Sequence, residues 1–145
     1  MAPTTTINTP LSTPSTPESV VAAMHNHDAF IKITSPALIT YAKTSTEDIA
    51  LDVPIAYSVT DKKPMGQTTY TLTLTNRING IDTHVIAKPP VGSLTIKGEW
   101  RVVDGAIKED VEVDTNFAMK RMVKGNIEKT HPEQHMQLIA ESSKA

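Results

Sequence analysis

The chain has 145 residues, of which 39% are hydrophobic and 21% charged, and its formal net charge is −2. A chain of this length forms one domain with its own core and is too short for two comfortable domains. The small negative charge argues against nucleic acid or an anionic membrane as the partner, because both require a concentrated basic surface. Without cysteine the chain has no disulfides and no thiolate chemistry, which agrees with a reducing compartment.

The sequence also lacks the features of an exported or membrane-inserted chain. No stretch has the charged and then apolar pattern of a signal peptide. No run approaches the roughly 20 apolar residues of a membrane span. We therefore expect a soluble, cytoplasmic protein without stable membrane insertion.

The first residues are the most ambiguous part of the chain. Residues 1–16 are rich in proline, threonine and serine, a composition typical of a flexible segment. Within them, 4–9 is predicted as a first edge strand, because threonine suits strands and proline is tolerated at strand ends. A loop over 10–15 follows, and residues 17–145 are assigned to a single domain.

Two short helices are predicted next. The first covers 17–26, since Thr16 can cap it and Pro17 suits the first helical position. Asp28 can cap the second helix, which ends before Ser35 because the following proline disfavours helical backbone there. A strand over 37–42 follows.

From residue 53 onward, apolar and polar residues alternate with period two, which is typical of half-buried strands. Pro54 indicates an edge position for the first of these strands. A turn is expected over 61–66. The dipeptides Asn79-Gly80 and Asp104-Gly105 predict two tight hairpin turns. The strands that remain are one centred on Leu72 and those over 91–103 and 106–114.

A two-residue turn determines which residues face each other across a hairpin. Around Asn79-Gly80 the predicted pairs are Ile78 with Ile81, Asn76 with Thr83, Leu74 with Val85, and Leu72 with Ala87. This register puts His84 on the outer face, which makes it a poor catalytic candidate. Around Asp104-Gly105 the predicted pairs are Val102 with Ile107, Trp100 with Glu109, Gly98 with Val111, and Ile96 with Val113.

Glu109 is therefore the only carboxylate on an otherwise apolar inner face. An unpaired carboxyl group in such a place has its pKa raised by desolvation, the condition for acid or base catalysis near neutral pH. The alternative is a structural glutamate. Its side chain would hydrogen-bond to Tyr57, Tyr70 or Trp100, or reach solvent at the mouth of a cavity.

Residues 117–143 form the last predicted element, a long helix with a broken apolar stripe. Pro132 is expected to kink or interrupt it. His131 and His135 have the spacing of two metal ligands on one helical face, but the intervening proline and the missing His-Glu-x-x-His pattern favour a surface pair and no metal. His25 and His27 are assigned structural roles, with the rim of the cavity as the alternative.

One strand, two short helices, a curved antiparallel meander and a long final helix occur in the order of the helix-grip fold. With the stretches at 20–28, 57–61, 97–100 and 109–113, the chain resembles the START/Bet v 1-like (SRPBCC) superfamily, which includes polyketide cyclases and lipid carriers. More narrowly, it is similar to fungal members of that superfamily. The resemblance implies an apolar cavity between the sheet and the long helix. Members bind lipids, hormones or polyketides, and some cyclise, dehydrate or isomerise them.

The predicted fold class is α+β, with a curved antiparallel sheet wrapped around a long C-terminal helix and two short helices after the first strand. The runner-up is the cone-shaped α+β barrel of limonene hydrolase and ketosteroid isomerase. It ranks second because that fold usually ends in strands, whereas this chain ends in a helix.

The first functional hypothesis is a cofactor-independent cyclase or isomerase that acts on a polyketide- or terpenoid-like molecule. Glu109 would move a proton, and Glu109→Gln would then abolish turnover with little change in melting temperature. The second hypothesis is a non-catalytic carrier of a hydrophobic ligand, and the third is a structural protein with a filled core. A homodimer is possible. The candidate catalytic residues are Glu109, Tyr57 and Tyr70, and the candidate binding residues are Trp100, Asn76, Leu72, Leu74, Val85, Val111, Met119 and Met122.

Overall fold

The computed structural model describes residues 3–88 and 92–144. In these residues, seven antiparallel strands form one sheet in the order β1-β7-β6-β5-β4-β3-β2. Two short helices lie between the first two strands, and a long helix ends the chain. The predicted helix-grip fold is confirmed. The elements are β1 (Thr5–Pro10), α1 (Pro17–His25), α2 (His27–Thr34), β2 (Leu38–Lys43), β3 (Pro54–Lys63), β4 (Gly66–Arg77), β5 (Gly80–Ala87), β6 (Leu94–Val103), β7 (Ala106–Asp114) and α3 (Phe117–Ser142).

The two short helices begin at well-defined caps. Thr16 and Ser19 form a reciprocal capping box, in which each side chain accepts a hydrogen bond from the other's backbone N–H. Asn26 is both the C-cap of α1 and the N-cap of α2, and its Oδ1 accepts from the backbone of Ala29. The prediction that Asp28 caps α2 is therefore wrong. Asp28 lies inside the helix, where it pairs with an exposed lysine one turn later.

The β6–β7 hairpin has the predicted turn and register. Asp104 and Gly105 have φ values of 53° and 71°, which are the positive values that a tight hairpin turn requires at both central positions. The four predicted pairs around this turn are all present, and Trp100 lies directly opposite Glu109.

The β4–β5 hairpin differs from its prediction. The turn residues are Ile78 and Asn79, so that Arg77 pairs with Gly80 and Leu74 pairs with Thr83. Gly80 has no positive φ. It is required for another reason, because a Cβ at this position would lie 1.8 Å from the backbone oxygen of Trp100. The register moves by two residues, so the predicted inner face is preserved although the predicted partners are wrong.

Three strand boundaries also differ. The β3–β4 ladder continues to the pair Lys63–Gly66, so most of the predicted turn over 61–66 is strand. Strand β3 lies inside the sheet rather than at its edge. Pro54 is tolerated there because it is the first residue of β3 and lies beyond the last pair with β2. The predicted strand over 91–103 begins at Leu94 in the structure, and Val91 lies outside the described residues.

Helix α3 covers the inner face of the sheet unevenly. It continues through Pro132, so the predicted interruption does not occur. Its buried residues lie in its second half and at Ile127, where it packs on β1, β7 and both short helices. Its first turns are open to solvent, with Phe117 77% and Met122 65% exposed. None of the helices in the described part of the chain has the length and apolar character that crossing a membrane requires.

Candidate functional site

A cavity of about 550 Å³ lies between the inner face of the sheet and the first half of α3. Its volume is within the range of small-molecule sites, and most of its walls are apolar. Trp100 and Phe30, each less than 3% exposed, lie at its deep end, while Lys63 and Met122 are exposed where it opens. The predicted site residues that line it are Glu109, Tyr70, Trp100, Leu72, Val85, Val111 and Met122.

Four predicted site residues do not belong to the lining of this cavity. Leu74 is fully buried in the core. Met119, on the exposed first half of α3, is also outside the lining. The side chains of Tyr57 and Asn76 both contact His27 instead.

Glu109 lies at the deep end of the cavity with 1% of its side chain exposed. Its Oε2 is 2.7 Å from Nδ1 of His131, and its Oε1 is 2.8 Å from Nε2 of His135. Because an ionised carboxylate can only accept, both ring nitrogens carry hydrogens and donate to Glu109. These histidines replace the tyrosine and tryptophan partners expected from the sequence.

The two histidines change the electrostatics of the carboxyl group. Burial alone raises the pKa of Glu109, but the hydrogen bonds and charges of His131 and His135 outweigh burial and lower the pKa below its usual value. The increase expected for an unpaired carboxyl group therefore does not occur. Glu109 is held as an anion, with both oxygens occupied by protein donors.

His135 belongs to the core rather than to the surface. Its side chain is completely buried, and its Nδ1 lies 2.8 Å from Oγ1 of Thr9 on β1. With Nε2–H donated to Glu109, Nδ1 of His135 and the hydroxyl of Thr9 share the second hydrogen bond of the ring. The prediction of an exposed histidine pair is wrong, since His131 is also only 20% exposed. Across 3–88 and 92–144, no cluster of three or more potential ligands has the arrangement to hold a metal ion.

His131 borders the cavity, as Glu109 does, whereas His135 does not. Glu109 holds the Nδ1–H of His131, which leaves the lone pair of Nε2 for another partner. The centre of its ring lies 5.9 Å from that of Trp100. A carboxylate that orients an imidazole in this way sets its tautomer and stabilises the imidazolium formed when Nε2 takes a proton. Such an arrangement allows a histidine to act as a general base.

Tyr70 lies far from Glu109, although both were predicted as catalytic. Asn76 is in the same cross-strand row as Glu109. Tyr70 precedes Asn76 by six residues on β4, about 20 Å along an extended strand. Its hydroxyl group lies 2.8 Å from Oγ of Ser35, and burial raises its pKa. Asp61, whose pKa burial also raises, lines the same outer part of the cavity.

His25 and His27 have roles in the fold. The Nε2 of His25 donates to the backbone oxygens of Arg77 and Gly80, each at 2.9 Å, which attaches α1 to the β4–β5 turn. His27 lies 2.8 Å from both the hydroxyl of Tyr57 and Oδ1 of Asn76. Burial lowers the pKa of His27, so the ring is neutral and bridges α2 to the sheet.

Sequence reasoning noticed the spacing of His131 and His135 but missed their role. A usable signal was present in the chain. Ile127, His131, His135 and Leu138 recur at helical spacing, which puts both histidines on the apolar face of α3. An inward carboxylate on β7 needs a buried donor, and this face of α3 supplies two. Thr9 carried no comparable signal.

The curved sheet, the two short helices after the first strand and the long C-terminal helix define a Bet v 1-like helix-grip fold. The structure is similar to that of Ara h 8.0201, with a TM-score of 0.61 and 12% identity over 95% of this chain and 97% of that one. It is also similar to the Zhui aromatase/cyclase from Streptomyces sp. R1128, with a TM-score of 0.58 and 8% identity over 95% of this chain and 90% of that one. At such identities, the likeness shows the fold alone.

The chain belongs to the family described as a domain of unknown function, DUF7053, whose model matches residues 2–144. The comparison with curated proteins gave no match.

Proposed function

We propose that this protein binds a hydrophobic small molecule in the cavity and moves a proton on it without a cofactor, as a cyclase or isomerase of a polyketide- or terpenoid-like substrate. One observation carries the proposal. His131 borders a cavity of about 550 Å³, and its Nδ1 is held at 2.7 Å by the buried carboxylate of Glu109. The fold shared with an aromatase/cyclase is consistent with this chemistry.

The proposed step is proton abstraction from carbon beside a carbonyl group. The C–H bond breaks, its electron pair moves into an enolate, and the proton goes to Nε2 of His131. Glu109 stabilises the imidazolium, which then returns the proton to another atom of the ligand or to the ring-closed product. A positioned base of this kind contributes about 10²- to 10⁴-fold. Holding a flexible ligand in its reactive conformation contributes further.

Glu109 has a different role in this proposal from the one expected from the sequence. Both of its oxygens accept hydrogen bonds from histidine, so Glu109 is not the base in the proposed step. It positions His131 instead. Tyr70, at the outer end of the cavity, is left to bind a polar group of the ligand, and Tyr57 has no part in the step.

A non-catalytic carrier is the second candidate. It is favoured by the completeness of the polar contacts, because Glu109 and His135 have partners at every side-chain oxygen or ring nitrogen without a ligand. A carrier needs the cavity but not the free nitrogen of His131. Ligand affinity would then survive the loss of His131, and no proton would be transferred.

The exchange of carbon-bound hydrogen separates the two candidates without knowledge of the natural substrate. β-Tetralone, a hydrophobic ketone, is incubated with the protein in D₂O, and loss of its α protons is followed by NMR. The wild type should accelerate exchange over buffer, and His131→Gln should reduce the acceleration by about 100-fold. Quenching of the fluorescence of Trp100, the only tryptophan in the sequence, reports whether the ketone is bound.

His84→Gln is the matched control, because His84 lies on the outer face of β5, away from the cavity. It should exchange β-tetralone as fast as the wild type. Binding of β-tetralone without accelerated exchange in the wild type would contradict the proton transfer and favour the carrier.

A further inference from the structure

Gly98 lies where adjacent strands bring two polar side chains together at the wall of the cavity. It is on the inner face of β6, between Thr83 on β5 and Val111 on β7, and two residues before Trp100. Thr83, Gly98 and Trp100 all line the cavity. Because Gly98 has no side chain, the space above its Cα is left to the side chains of its neighbours.

Two polar atoms lie over Gly98. A Cβ at position 98 would lie 2.5 Å from Oγ1 of Thr83 and 3.4 Å from Nε1 of Trp100, so the hydroxyl occupies the space that a side chain would take and the indole N–H lies beside it. Within residues 3–88 and 92–144, neither atom has a hydrogen-bond partner, and neither is among the fully enclosed polar atoms that lack one. Both atoms are therefore accessible at the wall of the cavity.

The chemistry of the two groups selects the ligand atom. The indole N–H can only donate a hydrogen bond, and the threonine hydroxyl can donate as well. An oxygen with two lone pairs satisfies both donors at once, whereas an ammonium group or a hydrocarbon does not. Since the surrounding wall is apolar, the atom that fits best is an uncharged carbonyl oxygen on a hydrophobic molecule, which is a stronger acceptor than an ether oxygen and, unlike an alcohol, brings no donor that needs a partner.

We infer that Thr83 and Trp100 form a carbonyl-binding subsite beside Gly98, in which Thr83 Oγ1–H and Trp100 Nε1–H donate to one oxygen of the ligand. The inference rests on the proposed function and specifies its ligand as a hydrophobic ketone or ester. The rings of Trp100 and His131 are neighbours, with centres 5.9 Å apart. A carbonyl bound by the indole N–H therefore lies near the proposed base.

The same two donors also serve the proton transfer. When a base removes an α proton, negative charge develops on the carbonyl oxygen. Donors that are already aimed at that oxygen stabilise the enolate more than the ketone. The subsite therefore makes Thr83 and Trp100 substrate-binding residues for a step in which His131 is the base.

The test compares two probes that differ in the carbonyl group alone. Affinities of β-tetralone and of the hydrocarbon tetralin are measured by displacement of anilinonaphthalene sulfonate. In the wild type the ketone should bind more tightly than tetralin. Thr83→Val keeps the shape of the side chain and removes the hydroxyl. It should weaken the binding of β-tetralone by about fivefold to tenfold and leave the binding of tetralin unchanged. Thr83→Ser restores the hydroxyl and should restore the preference.

A spectroscopic readout separates hydrogen bonding from packing. The infrared C=O stretch of bound β-tetralone should lie below that of the ketone in hydrocarbon solvent, and Thr83→Val should move it back toward that value. Gly98→Ala puts a methyl group where the threonine hydroxyl lies and displaces that hydroxyl, so it should also lose the ketone preference. Its melting temperature is compared with that of the wild type to check folding.

The outcomes of the test are distinguishable. The subsite would be overturned if Thr83→Val lost the same affinity for tetralin as for β-tetralone, or if the C=O stretch of the ketone were not shifted in the wild type. Either result would leave the cavity as a ligand site. Failure of both probes to bind to the wild type would contradict the proposed function itself, and the subsite with it.

Discussion

Two buried histidine clusters lie on the same cross-strand row of the sheet. The row runs through Asn76, Ile81, Trp100 and Glu109, on four successive strands. At one end, the side chain of Asn76 accepts a hydrogen bond from His27 of α2. At the other end, Glu109 accepts from two histidines of α3. In both clusters a histidine on a helix donates a hydrogen bond to an acceptor on the sheet. The acceptor is a neutral amide in the first cluster and a carboxylate in the second.

The difference between the two clusters separates structure from function. In the first, both ring nitrogens of His27 have partners, and every member is neutral, so the cluster is complete. In the second, the buried anion of Glu109 holds one ring nitrogen of His131, a residue that lines the cavity. A neutral acceptor therefore attaches a helix to the sheet, whereas the carboxylate also orients the histidine that we propose as the base.

The largest effect is expected from removing the carboxylate. Glu109→Ala leaves two histidine N–H groups without their acceptor, one of them completely buried. We expect a loss of about 3–6 kcal/mol in the free energy of unfolding, because two hydrogen bonds to a charged group contribute about 1.5–3 kcal/mol each. Urea denaturation measures it. Glu109→Gln, for which the sequence suggested an unchanged melting temperature, should also be clearly destabilised. A loss below about 1 kcal/mol would contradict the role given to these hydrogen bonds.

A smaller effect is expected in the neutral cluster. Tyr57→Phe removes one hydroxyl group and its hydrogen bond to His27, at a cost of about 1 kcal/mol. Exchange of β-tetralone should stay at the wild-type rate, because Tyr57 does not line the cavity. A large loss of exchange at nearly unchanged stability would restore Tyr57 as a catalytic candidate and break the division between the two clusters.

The smallest effect is a difference in pH dependence. The pKa of His27 lies below its ordinary value of 6.5, so its cluster contributes fully above that pH and loses its contribution as pH falls through the lowered pKa. The pKa of Glu109 lies below its ordinary value of 4.5, so the cluster around Glu109 begins to lose its contribution to stability only below that pH.

Denaturation at a series of pH values checks the order of these two losses. As the pH is lowered, the difference in free energy of unfolding between the wild type and His27→Gln should decrease first. The difference between the wild type and Glu109→Gln should decrease only in the more acidic range. The other carboxyl groups contribute equally to the stability of the wild type and of each variant, so their contributions cancel in each difference. The reverse order would mean that the two acceptors have been assigned wrongly.

The parts of the fold that sequence patterns predicted are the local ones. Asp104-Gly105 has the backbone preference of a tight turn, and no distant contact opposes it, so the pairing of Trp100 with Glu109 could be predicted. At Asn79-Gly80 the same reasoning failed. Gly80 is needed where the backbone of Trp100 approaches within a distance that no Cβ allows, and this contact comes from another strand.

The partners of Glu109 depend on packing between distant parts of the chain. His135 lies 26 residues from Glu109 and 126 residues from Thr9. Strand register shows that Glu109 points inward, but it does not show which turn of α3 lies over it. Helix periodicity puts both histidines on the packed face without giving the height of that helix along the sheet. The carboxylate could therefore be predicted, whereas the base beside it could not.

The most direct test of the central claim is a ¹⁵N–¹H NMR spectrum of the histidine side chains with and without β-tetralone. We predict that His131 has its hydrogen on Nδ1, that its bare Nε2 resonance moves when the ketone binds, and that the resonances of His27 stay in place. A hydrogen on Nε2 of His131 with a bare Nδ1, or a His131 signal unmoved at saturating ketone, would contradict the account.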